Sequence, residues 1–152
     1  MKVQTLILSA ATLLLAAATG HAQTTVKDAW VRGTVAQQKA TGMFAKITSS
    51  AGGKLVSVSS PVAGVVEIHE MSMEGSVMKM RAVPGLDLPA GKAVELKPGG
   101  FHVMLLDLKQ ELKVGDTVAV TLVIEGADKK LETVEVKAPV RALGGSMSEH
   151  KH

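Results

Sequence analysis

His69, Met80, His102 and Met104 are four soft or borderline metal ligands in a chain without cysteine or tyrosine, whose aromatic residues are one Trp and two Phe. Thioether sulfur binds hard ions poorly and Cu(I) well, and imidazole is acceptable to Cu(I), so a mixed Met/His set selects copper, and copper(I) in particular. Between His69 and Met104 lie five of the seven methionines that remain once Met1 is set aside. Core filling is the ordinary role of methionine, and Met43, in GMFAKIT, fits it. A cluster with two methionines spaced against two histidines fits metal binding better.

Those side chains need strands to aim them. Short alternating or β-branched segments run through the chain at 27–32, 42–48, 54–59, 65–71, 77–81, 93–96, 101–107, 117–125 and 130–137. Gly and Pro clusters punctuate them, including Gly52-Gly53, Pro84-Gly85, Pro89-Ala90-Gly91 and Pro98-Gly99-Gly100. Many short strands at this spacing predict an all-β, antiparallel β-sandwich with little helix. No segment after residue 22 keeps a helical apolar stripe over three turns.

Strand geometry then builds the site. If 65–71 and 77–81 form a hairpin with Glu74-Gly75 as the loop, His69 opposes Met80 and Met71 opposes Met78, all four on one face. Met71 and Met78 are auxiliary ligand candidates on that basis. His102 and Met104, two apart in FHVMLLDL, share a face and form a second arm, while Phe101, Val103 and Leu105 turn to the core. Gly99-Gly100 allows a tight bend that can bring this arm beside the hairpin. Spacing alone does not decide whether the two arms meet.

The ends of the chain set its compartment. MKVQTLILSAATLLLAAATGHA has one lysine, an apolar run from Leu6 to Ala18 and an Ala-x-Ala-like end. The run is shorter than the roughly 20 residues a spanning helix needs, so 1–22 reads as a cleavable signal peptide and the address as the periplasm. No later segment is apolar for long enough to cross a membrane. No cysteine stands at the cleavage site to carry a lipid. Residues 23–140 are the length of one domain, with 141–152 a mobile tail. Cleavage removes Lys2 and no acid, taking the net charge from +3 to +2, which is too mild to argue for nucleic acid. Met147, His150 and His152 in the tail read either as an auxiliary site suited to Cu(II) or as ordinary polar residues. Trp30, the single tryptophan, reads as core packing with its indole N–H satisfied.

His69, ten residues, Met80, twenty-one residues, then His102-Val103-Met104 resembles the H-x10-M-x21-H-x-M signature of the periplasmic PCu(A)C copper chaperone family. DAWVR at 28–32 and ELKPGGFHVMLLDLK at 95–109 extend the likeness over almost all of the chain after residue 22. The resemblance implies a cupredoxin-like (Greek key) sandwich and a surface Cu(I) site made by His69, Met80, His102 and Met104. It also implies delivery of copper to the CuA centre of cytochrome c oxidase, alone or with a thiol-bearing assembly protein.

Other classes fit less well. A blue-copper electron carrier needs a thiolate that this chain lacks, and no serine or carboxylate forms a recognisable hydrolytic motif with either histidine. Signal cleavage after Gly20 would expose His21 as a terminal copper chelator of the histidine-brace type, which an intact mass would reveal. A copper scavenger conferring resistance would use the same four ligands without directed transfer. The expectation is therefore a carrier and not an enzyme.

Overall fold

A computed structural model describes residues 23–142. The signal-peptide reading of 1–22 and the tail ligands Met147, His150 and His152 lie outside the described residues.

Ten strands account for most of that stretch: β1 (Thr24–Arg32), β2 (Ala40–Ser49), β3 (Gly53–Ser59), β4 (Ala63–Glu74), β5 (Val77–Val83), β6 (Leu86–Leu88), β7 (Ala93–Leu96), β8 (His102–Leu108), β9 (Thr117–Gly126) and β10 (Leu131–Arg141). The alternation of β9 shows why. Val118, Val120, Leu122 and Ile124 are each about 1% exposed while their neighbours face outward, the period of two that a half-buried strand requires. Among the described residues there is no helix, and therefore none long and apolar enough to cross a membrane.

The strands follow the order β5-β4-β8-β2-β1-β10-β9-β3-β6, with β7 paired to β2. Most neighbours are non-consecutive in sequence, as in Greek-key sandwiches. One core joins both ends of this path. Val31, Met43, Ile47, Ile68, Val103 and Leu105 from the β1, β2, β4 and β8 side pack with Leu55, Leu88, Leu122, Ile124 and Val140 from the β10, β9, β3 and β6 side. The chain is thus the all-β sandwich that its punctuation predicts, Met43 filling the core at 0% exposure.

Four local expectations need correction. The sheet is not wholly antiparallel, because β1 and β10 run parallel where Val31 pairs with Val140 and Arg32 with Arg141. This pairing also carries the last strand past residue 137, where it was expected to end, to Arg141. Val140 is 2% exposed, and Arg141, assigned to the tail, ends β10 and accepts a hydrogen bond from Gly33 N. A short strand, β6, lies between Pro84-Gly85 and Pro89 where only turns were expected, pairing with β3 and burying Leu86 and Leu88.

Trp30 is the fourth. It is half-buried on the outer surface of the sheet and is absent from the core. Asp28 adopts φ 55°, and the register of β1 against β2 shifts between Lys27 and Trp30. A bulge reverses which face the following residues take, so Val31 enters the core and Trp30 stacks outside on Phe44, ring centroids 4.7 Å apart. No hydrogen bond from its indole is present among the described residues.

Candidate metal centre

The site lies on the outer face of the β2, β8, β4 and β5 sheet. In β8, Val103 and Leu105 are fully buried, which fixes the strand and turns His102 and Met104 outward. Antiparallel pairing then places His69 opposite His102 and Glu67 opposite Met104 on β4, and Gly42 opposite Met104 on β2. The two arms that sequence left apart therefore meet as adjacent strands.

The hairpin has a different register from the one expected. Glu74 pairs with Val77, so the loop is Gly75-Ser76 rather than Glu74-Gly75, and Gly75 takes φ 64°. A glycine with positive φ at the first loop position is what a two-residue hairpin turn of type II′ demands. Met71 consequently opposes Met80, Met73 opposes Met78, and His69 opposes Ala82. The slip is two residues in the pairing sum, so side-chain parity survives and the methionines still share the face of His69.

A cavity of about 350 Å³ is lined by Met71, Met80, His102 and Met104, with Phe44, Arg32 and Gly99 among its other walls. Of the four residues carrying the spacing signature, three line this cavity, and Met71 joins them. His69 stands beside it, its ring centroid 5.9 Å from that of His102. Met78 is not part of the lining.

The hydrogen bonds orient both imidazoles. His102 Nδ1 lies 3.0 Å from Gly100 O. A carbonyl only accepts, so Nδ1 carries the proton, and the neutral ring presents a lone pair at Nε2. That Nε2 lies 3.1 Å from Met80 Sδ, which also has only lone pairs to offer. Two lone-pair donors this close could share a soft cation. Gly100 O also accepts a hydrogen bond from Met71 N at 3.3 Å, so one carbonyl ties the β8 arm to the hairpin. Gly99, with φ 86°, makes the bend that presents it.

His69 Nε2 lies 2.6 Å from Glu67 Oε2. A carboxylate likewise only accepts from a neutral ring, which assigns the proton to Nε2 and leaves the lone pair on Nδ1. Nδ1 is buried without a partner. An orphaned buried polar atom is costly and uncommon, and the ring that carries it is 5.9 Å, centroid to centroid, from a second imidazole. Both histidines are buried, at 9% and 6% exposure.

Glu67 and Phe44 were missed from the sequence. Glu67 is two residues before His69 and on its face, a signal that parity carries; an isolated carboxylate on a strand otherwise reads as solvent-facing. Phe44 connects Trp30 to His102, its ring 6.3 Å from the imidazole, and Arg32 lies over it at 5.4 Å. Among the described residues there is no group of three or more His, Asp or Glu placed to hold a metal ion.

The all-β fold of residues 24–140 is that of the PCuAC class of domain. The PCuAC domain of PmoF1 superimposes with a TM-score of 0.65 at 28% identity, covering 80% of this chain and 96% of that one. DR1885 from Deinococcus radiodurans, solved in a Cu(I) form, gives a TM-score of 0.59 at 32% identity over 82% of each chain. The chain belongs to the LpqE-like lipoprotein family, whose profile matches residues 24–140. Within the curated relatives, Lxx21020 of Leifsonia xyli subsp. xyli, named as a lipoprotein, is 31% identical over 127 residues, which is 83% of this chain and 74% of that protein.

Proposed function

We propose that the protein is a periplasmic carrier of Cu(I), holding the ion through His69, Met80, His102 and Met104 and passing it to a copper acceptor such as the CuA site of cytochrome c oxidase. The observation that carries this reading is the approach of His102 Nε2 to Met80 Sδ, with the His102 tautomer fixed by Gly100 O. The Cu(I) form of DR1885, at 32% identity, supports the choice of cargo.

The chemistry suits a carrier. All four ligands are neutral, so the site offers Cu(I) soft donors but no thiolate charge to stabilise Cu(II). His102 is held rigidly by its strand and by Gly100 O. Met80 is 48% exposed on the edge strand β5, and its flexible side chain can release the ion first. An acceptor with thiolates can then displace thioether and imidazole stepwise, one bond forming as another breaks and the ion remaining Cu(I). The role is transport of an ion, and no bond-making chemistry on an organic substrate is assigned to these residues.

An anaerobic titration of Cu(I) into residues 23–152 against a coloured Cu(I) chelator tests the site. One tight equivalent is expected, lost in His102→Ala and in Met104→Ala; equal affinity in both variants would place the ligands elsewhere. Incubating the loaded protein with an isolated CuA-bearing oxidase domain then separates carrier from scavenger. Transfer supports delivery, and retention of the copper leaves sequestration as the function.

A further inference from the structure

The pairing of β4 with β8 runs from Ala63 opposite Leu108 to His69 opposite His102. Beyond that point the β4–β5 hairpin continues for five more residues on β4 and turns back at Gly75-Ser76. β5 is an edge strand, so this projecting tip has solvent on both faces.

Its two faces are chemically distinct. One carries Glu70, Ser72 and Glu74 against Lys79 and Arg81, tied by Arg81 Nε donating to Glu70 Oε1 at 2.6 Å and by a Lys79–Glu74 ion pair at 2.8 Å. That is the ordinary dressing of an exposed strand pair. The other carries Met71 opposite Met80 and Met73 opposite Met78. Met73 and Met78 are 58% and 46% exposed, and neither belongs to the core. Core packing does not account for them; β-branched residues have the stronger strand preference, and charged ones are what guard an exposed edge strand.

We infer that the Met73–Met78 rung is a second, weaker Cu(I) site made of thioethers alone, one step outward from the cavity. Directly opposed side chains have Cβ atoms about 4.5–5.5 Å apart, a span two flexible thioethers can close around one soft ion. Successive rungs on one face are separated by about 6.6 Å along the strand. An ion at Met73–Met78 is therefore a single rung from Met71–Met80, and Met80 Sδ already touches His102. With two neutral donors and no imidazole, the tip binds less firmly than the cavity. Occupation of the outer rung needs no redox step, because thioether bonds form to Cu(I) as solvent or carrier ligands leave.

The inference rests on the Cu(I) reading of the cavity, and its test keeps the two separable. The full mature chain, labelled at the methionine ε-methyl groups, is titrated anaerobically with Cu(I), which is diamagnetic, and followed by NMR alongside His102→Ala/Met104→Ala and Met73→Leu/Met78→Leu. The first equivalent is expected to move the methyls of Met80 and Met104, and the second those of Met73 and Met78. Leucine keeps the volume and removes the sulfur, so Met73→Leu/Met78→Leu should fold, keep the first equivalent and lose the second. A second equivalent that shifts only Met147, or that survives in Met73→Leu/Met78→Leu, overturns the inference and leaves the cavity reading untouched. A first equivalent that survives in His102→Ala/Met104→Ala overturns the cavity reading, whatever the tip does.

Discussion

The two arms of the site are built in opposite ways. The β8 arm is anchored from beneath: Val103 and Leu105 are fully buried, β4 and β2 flank the strand, and Gly100 O locks the His102 ring. The β5 arm has β4 on one side and, among the described residues, no strand on the other, and its Met80 and Met78 are about half exposed. The difference separates two tasks. A fixed imidazole defines where the ion sits, and mobile thioethers on an edge let it arrive and leave.

Damage beneath the anchored arm should have the largest effect on the protein. Leu105→Ala removes a fully buried side chain behind His102 and is expected to cost about 2–5 kcal/mol in urea unfolding, the range for such core truncations; a loss below 1 kcal/mol would mean that β8 is not the rigid arm. Next comes the ligand itself. His102→Ala should weaken Cu(I) binding by more than about a hundredfold, exceeding the effect of typical outer-shell changes, in competition with a Cu(I) chelator.

Glu67 sharpens the comparison at the other histidine. It holds His69 Nε2, so Glu67→Ala should lower Cu(I) affinity about tenfold. Glu67→Gln, which keeps an acceptor oxygen, should recover most of that loss. Equal effects from Ala and Gln would show that charge rather than ring orientation matters. At the mobile arm the smallest effect is expected: Met78→Leu should change unfolding free energy by less than about 0.5 kcal/mol, measured in the same urea series. A larger change would mean that the hairpin tip packs against something and is not free to exchange ligands.

Much of this was legible in the sequence because parity is robust. His102 and Met104 had to share a face once 101–107 was a strand, and Val103 and Leu105 had to oppose them. The hairpin register was less secure: Glu74-Gly75 and Gly75-Ser76 both offer a glycine, and the pairing of Glu74 with Val77 decides between them. A two-residue slip preserved the ligand face but changed every partner, replacing His69–Met80 with Met71–Met80. Trp30 was misread because a bulge at Asp28 inverts parity, and nothing in the sequence advertises it. β6 escaped because three residues between proline turns carry too little pattern to register. The meeting of β4 with β8 is long-range pairing, which no local signal specifies.

Copper K-edge X-ray absorption of the mature protein loaded with one equivalent of Cu(I) tests the central claim most directly. A Cu(I) edge with both imidazole and sulfur scattering is predicted, the sulfur contribution falling in Met80→Leu and the imidazole contribution in His102→Ala. A first shell of nitrogen and oxygen without sulfur would contradict it.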